Sequence, residues 1–423
     1  MQYIKKDLGS FNLHMIKTNK FKTITIRVIF HSPIQKEEIT KRNVLSDILL
    51  QSSKKYSSKR NMIIESENLY AADLYNNTQR LGNYMMTSFI LQVLNDRYTE
   101  KGNFNKAVEF LSSIIFEPDV VNDSFQEEPL SIVKKNCEDM ISTVKEDPVD
   151  YAFIRLKEAY DKENPISYRM VGYKEDLDKI KGKNLYDYYK NMIDNDFVDI
   201  FVVGDFEEDE LLSLIKKNFK FRKIKKQKKS YEIENKPVRK RRLIAKEKVN
   251  ATQSKMAIAC PVGNLKPYEK NYPLVLGNII LGGGVDSKLF KEVREKNSLC
   301  YTIFSGYSKL DNMIYISAGI DRTNFDKTVD LTTKILEKMK KGRISDKDIK
   351  IAKEFYNTSI TSIEESPMNL MREYIAEEII QMEPYQERKQ IMNKVTKKEI
   401  VRAMKKVNMD TIFLLEGEAD ENN

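Results

Sequence analysis

The sequence predicts an α+β protein in which one architectural unit is used twice, each copy a sheet with helices mainly on one face. Three observations carry this. Phrases of the first half recur in the second, in the same order and at nearly constant spacing. A β-branched run opens each half. Between these landmarks lie amphipathic runs at helical spacing, started by acidic residues or proline.

The strands come first. FKTITIRVIF (21–30) alternates and is rich in β-branched residues, and SKMAIAC (254–260) is its counterpart. GNFNKAVEFLSSII (102–115) then matches TNFDKTVDLTTKIL (323–336), each an Asn-Phe start followed by apolar residues at helical spacing. ISTVKEDPVDYAFIRLKEAY (141–160) matches TSITSIEESPMNLMREYIAE (358–377), each an acidic pair, a proline and an amphipathic run. VDIFVVGDFEEDE (198–210) matches MDTIFLLEGEADE (409–421), each a strand, a glycine and acidic residues. The pairs Phe104/Phe325, Pro148/Pro367 and Gly204/Gly417 are separated by between 213 and 221 residues. Such regularity points to internal duplication. The expected organisation is a first α+β domain over 1–221, a basic linker over 222–242 and a second α+β domain over 243–423.

Composition narrows the function. The chain has 423 residues, 41% hydrophobic and 32% charged, enough for two sizeable cores in a soluble protein. No apolar run approaches membrane-spanning length, and MQYIKKDLGSFNLHM lacks a signal-peptide core. A cytoplasmic protein without membrane partners is therefore expected. Cys137, Cys260 and Cys300 are scattered, so they offer neither a disulfide framework nor a metal knuckle. The net charge of +9 gathers in RKIKKQKKS (222–230) and VRKRR (238–242). No aromatic residues interleave with those lysines, so a solvated linker is the expectation and nucleic acid is not an expected partner.

Familiar catalytic motifs are missing. His14 and His31 are the only histidines, so neither HExxH nor HxxEH can be written, and no GxSxG accompanies them. Both read as hydrogen-bonded polar residues at strand edges. GGGVDSKL fails as a phosphate loop, because Ser287 and Leu289 stand where Gly and Ser/Thr are required. Acidic pairs such as Glu127–Glu128, Glu364–Glu365 and Glu377–Glu378 read as solvated faces or first-turn dipole partners.

One stretch stands apart. LGGGVDSKLFKEVREKNSLCY (281–301) sets three glycines before a helical run, with Arg294 seven residues ahead of Tyr301. It resembles the C-terminal-domain signature of the pitrilysin/insulinase family of zinc peptidases, the inverzincins. Gly282, Gly283, Gly284, Ser287, Lys288, Leu289, Phe290, Val293, Arg294, Glu295, Lys296, Leu299 and Tyr301 all fit it. HMIKTNKFKTITI, ENLYAADLY, YKEDLDKIKGKNLYDYYKNMI and DIFVVGDFEEDE resemble a bacterial, non-catalytic branch of that family. The resemblance covers essentially the whole chain. It implies two duplicated domains of LuxS/metallohydrolase-like fold in a clam-shell arrangement.

In that family the first domain carries HxxEH and a distal glutamate. Here the motif positions fall on Asn43, Ser46 and Asp47, and the distal one falls near Glu138 without a clean alignment. The resemblance thus implies no metal, no cofactor and no hydrolysis by this chain alone, with at most two oxygens left at Asp47 and Glu138. It implies a partner: a homologous HxxEH-bearing zinc subunit in a heterodimer, or a second copy in a homodimer. Arg294 and Tyr301 then serve the partner's zinc site in trans, the arginine binding a peptide carbonyl and the tyrosine donating to the oxyanion. Gly282, Gly283 and Gly284 let a peptide substrate approach the backbone closely. Local sequence leaves two alternatives open: Arg294 capping or salt-bridging its own helix with Tyr301 in the core, and a metal-free, peptide-binding or chaperone-like clam shell.

Overall fold

The computed structural model describes residues 1–223 and 230–418. The centre of the basic run, 224–229, lies outside the described residues. The chain forms two compact units. One comprises 1–142, 169–230 and 366–371; the other comprises 143–168, 231–365 and 372–423. This differs from the continuous spans expected, because each unit takes a segment from the opposite half of the sequence.

The first unit is built on β1 (Gln2–Asp7), β2 (Asn12–Lys17), β3 (Thr23–Pro33), β4 (Asp73–Leu81), β5 (Tyr84–Leu94) and, after the short ribbon β6 (Val120–Val121) and β7 (Ser124–Phe125), β8 (Phe197–Gly204). Its sheet order is β1-β2-β8-β3-β5-β4. β2 and β8 run parallel, and the other neighbours are antiparallel. Alternation along β3 sends Ile24, Ile26, Val28 and Phe30 into a core shared with Val44 and Leu45 of the helix Ile39–Ile48 and with the helix Asn103–Phe116.

The second unit contains β9 (Leu243–Val249), β10 (Ser254–Pro261), β11 (Cys300–Ser308), β12 (Met313–Ile320) and β13 (Thr411–Gly417), in the order β11-β12-β10-β13-β9. Here β13 and β9 are the parallel pair. Read from the other edge, β9-β13-β10-β12-β11 repeats β2-β8-β3-β5-β4 strand for strand. The duplication seen in the sequence is thus a duplication of topology.

Helices cover one face of the second sheet: Met256, Ile258 and Cys260 pack with Leu274 and Leu281 of the helix Pro273–Gly282 and Leu336 of the helix Phe325–Lys340. The opposite face is also covered. Ala257, Ala259, Phe413 and Leu415 bury Tyr151, Leu156 and Tyr160 from the helix Pro148–Asp161. That helix starts where the sequence says it should, with Pro148 in the first turn and Asp147 accepting from the Val149 and Asp150 amides at 2.8 and 3.0 Å. An ion pair from Arg155 to Glu247 (2.7 Å) adds to the apolar contact.

The expected solvated linker is corrected over its second half. Tyr231 and Ile233 are buried, and the Ile233 amide donates to the Leu310 carbonyl at 2.7 Å. Arg239 pairs with the fully buried Asp410 and donates to the Tyr160 carbonyl at 2.8 Å. Part of the basic run therefore neutralises a buried carboxylate and is unavailable to a polyanion.

Candidate functional site

The helix Ile39–Ile48 follows the central strand β3 and carries the positions where the metal motif falls. Asn43, Ser46 and Asp47 line one cavity of about 610 Å³, together with Asn76 and Asn77 of β4 and Asn136 of the helix Glu127–Thr143. The three positions are occupied by internal hydrogen bonds. Asn43 donates to the Met170 carbonyl (2.7 Å), and Ser46 donates to the Asn43 carbonyl (3.0 Å). Asn76 donates to an Asp47 carboxylate oxygen (2.8 Å). Burial pushes the Asp47 carboxyl up from its ordinary value, opposed by that hydrogen bond and by the charge of Lys59. Lys59, pulled down by its own burial, donates to the Leu50 carbonyl at 2.9 Å.

Zinc requires three or four nitrogen, sulfur or carboxylate donors converging on one point. This cavity does not fit it. Among the described residues no group of three His, Cys, Asp or Glu comes together to hold a metal. The residual pair of oxygens expected at Asp47 and Glu138 is also corrected. Val133, Asn136 and Met140 face the cavity, whereas Glu138 lies off that face and pairs with Lys174 (2.8 Å) and Lys135 (3.5 Å). Cys137 is buried, and desolvation and the nearby Asp47 charge push its thiol up to about 11.

The second constellation lies in the other unit. Gly282, Gly283 and Gly284 end the helix Pro273–Gly282 but differ in environment. Gly282 is buried, and a Cβ there would lie 2.6 Å from the Ser305 backbone nitrogen on β11. At Gly283 it would lie 2.6 Å from the Ile279 Cα. Gly284 is exposed, with its nearest neighbour, Phe355, at 3.7 Å. Close approach therefore explains the first two within the fold itself, and only the third faces solvent.

Arg294 sits on a π-helical turn, Phe290–Glu295, a form often found at functional sites. It is exposed, with its guanidinium 4.6 Å from the centroid of the Phe290 ring. Tyr301 lies near the start of β11, an edge strand. The register against β12 runs Cys300↔Ile320 and then Thr302↔Gly319, so Tyr301 is the extra residue of a β-bulge. The bulge turns its side chain outward, and it is 56% exposed. This is not the environment of a core strand residue.

Two histidines were read as ordinary hydrogen-bonded groups, and their shared partner could not be seen in the sequence. His14 of β2 and His31 of β3 both reach Asp199 of β8, at 3.3 and 2.9 Å. Tyr3 bonds the other ring nitrogen of His14 at 2.7 Å. Burial alone would push the Asp199 carboxyl up, but the hydrogen bonds and charges of the two histidines hold it well below the usual range. Only strand register, which puts β2 beside β8 and β8 beside β3, brings these residues together.

The family model described as the peptidase M16 inactive domain matches residues 179–356. The chain is 27% identical over 422 residues to the probable inactive metalloprotease YmfF of Bacillus subtilis (strain 168), covering 98% of this chain and 97% of that one. A conserved protein from Enterococcus faecalis V583 has a similar structure, with a TM-score of 0.89 and 29% identity over 99% of this chain and 100% of its own. The peptidase M16 inactive domain from Pseudomonas fluorescens shares the fold, with a TM-score of 0.80 and 18% identity over 100% of both chains. No helix among the described residues is long and apolar enough to cross a membrane.

Proposed function

We propose that this chain, which is similar along its length to a probable inactive metalloprotease and matches the peptidase M16 inactive domain over residues 179–356, works as the inactive subunit of a two-subunit zinc peptidase in the cytoplasm. The zinc belongs to a homologous partner that keeps HxxEH. This chain contributes Arg294, Tyr301 and the exposed end of the glycine strip to the peptide held there. Arg294 offers a fork of N–H donors to a substrate carbonyl and holds the chain in register. The Tyr301 hydroxyl donates to the oxygen on which negative charge develops when the scissile carbonyl is attacked.

The observation that carries this reading is the outward presentation of Tyr301. A bulge costs pairing at that point of the edge strand and leaves a large aromatic side chain 56% exposed, an arrangement that serves a neighbour better than the core. Exposed Arg294, on its π-helical turn, supplies a cation to the same part of the chain. The other reading is a metal-free peptide-binding protein that pairs with its own copy.

Tyr301→Phe tests the proposal. In a reconstituted pair, loss of an oxyanion donor lowers turnover about a hundredfold to a thousandfold while the affinity between subunits is unchanged. Unchanged turnover sinks the trans role. A homodimer that binds peptide and contains no zinc supports the other reading.

A further inference from the structure

We propose that Lys309, in the turn between β11 and β12, is an acylation site whose amine takes a small acyl group from an acyl phosphate or a thioester. The argument starts from what surrounds the amine. It donates to the Met382 thioether sulfur at 3.0 Å, a weak acceptor, and among the described residues it makes no ion pair. The nearby acids are engaged elsewhere. Arg388, buried in the helix Tyr385–Lys394, takes Glu373 at 2.6 Å and Glu377 at 3.1 Å, and the Tyr272 hydroxyl donates to Glu383. A lysine drawn out of water ordinarily has a carboxylate to hold its charge, and Lys309 has a sulfur instead. Desolvation and the charge of Arg388 pull its ammonium down to about 8, against the charges of Glu373 and Glu383.

A nitrogen lone pair is therefore available near neutral pH. At about pH 7.5 roughly a quarter of such an amine is neutral, against about one part in a thousand of an ordinary lysine. Lys309 is only partly buried, so a small reagent can reach it. The lone pair attacks the acyl carbon and a C–N bond forms. The C–O or C–S bond breaks as phosphate or thiolate leaves with its electron pair, and the amine proton passes to water. The product is an uncharged amide, which removes the charge that opposes Arg388. An aldehyde would leave an imine that holds a proton and keeps that charge, so an acyl donor fits better. Tyr307, two residues earlier, has a buried hydroxyl without a hydrogen-bond partner among the described residues, a donor free to meet the acyl oxygen. Lys309 has no part in the trans role of Arg294 and Tyr301, so the inference stands without it.

The test incubates the full chain with acetyl phosphate or with acetyl-coenzyme A between about pH 6.5 and about pH 9.5 and reads acetylation of each lysine by mass spectrometry. Lys334, exposed and without an ion pair among the described residues, is the internal reference. At about pH 7.5 Lys309 should react about tenfold or more faster than Lys334. Its rate should level off above about pH 8 while that of Lys334 still climbs. Selectivity with only one of the two reagents supports the site and identifies the donor class. Tyr307→Phe should slow Lys309 about tenfold and leave Lys334 unaltered, and an unchanged rate overturns the part assigned to that hydroxyl. Equal rates at Lys309 and Lys334 in the folded chain overturn the proposal, as does a preference for Lys309 that survives unfolding in guanidinium.

Discussion

The glycine strip makes a differential claim that two single substitutions can test. At Gly282 a Cβ would lie 2.6 Å from both the backbone nitrogen and the hydroxyl of Ser305, and 2.9 Å from its Cβ. Non-bonded atoms prefer about 3.5–4.0 Å, so something must move by most of an ångström. Ser305 cannot retreat freely: it is buried in a strand, and its hydroxyl donates to the Asn278 side-chain oxygen at 2.9 Å. Overpacking of this kind costs about 1–3 kcal/mol. For a unit of this size each kcal/mol corresponds to about 2–4 °C in melting temperature, so Gly282→Ala should lower it by about 2–12 °C. At Gly284 the nearest atom would be 3.7 Å away, at the edge of Phe355, which is ordinary contact. Gly284→Ala should therefore leave the melting temperature unchanged or raise it slightly, since alanine narrows the unfolded ensemble by about 0.4–1 kcal/mol. Scanning calorimetry of both variants decides the matter. Equal behaviour would refute the claim that Gly282 is required by close packing and Gly284 is not.

Two further outcomes follow from buried charges. Arg239→Met leaves Asp410 buried without its cation and should cost about 3–5 kcal/mol, whereas Arg241→Met, on the exposed neighbour, should stay within about 0.5 kcal/mol; urea unfolding of the two separates a docked segment from a solvated one. The Asp199 carboxyl is held below its ordinary value by His14 and His31 despite its burial, so its contribution is complete above the unfolded value near about 4 and is lost as pH falls further. Asp199→Asn should lose stability at neutral pH and show a shallower decline below about pH 4; an unchanged acid limb in urea midpoints from pH 7 to 3 would contradict this assignment.

Much of the fold was legible because duplication leaves a record in one dimension. Phe104/Phe325 and Pro148/Pro367 mark helix starts in both halves, and the matching strand orders follow from the same repeat. What escaped reading depends on contacts between distant parts of the chain. The helix Pro148–Asp161 has an amphipathic pattern that says it buries a face, but the pattern cannot name the sheet that receives it. Arg239 looks like one more cation in VRKRR until Asp410 is placed beside it. The motif positions Asn43, Ser46 and Asp47 lie on one helix and line one cavity, whereas Glu138, which could be set only near the distal position, lies off the face that the helix Glu127–Thr143 turns to that cavity. A helix advances 100° per residue, so an error of two positions turns a side chain away from the site. The bulge at Tyr301 is invisible for a related reason: it is a mismatch between two strands, and a single strand carries no register.

The central claim is most directly tested by native purification of the tagged chain, with zinc content and peptide hydrolysis measured on what accompanies it and repeated with Tyr301→Phe. The account expects one homologous partner bearing HxxEH, about one zinc per pair, and hydrolysis that collapses in the variant while the pair stays intact. A chain that emerges without a homologous partner, or a pair whose turnover is indifferent to Tyr301→Phe, would contradict it.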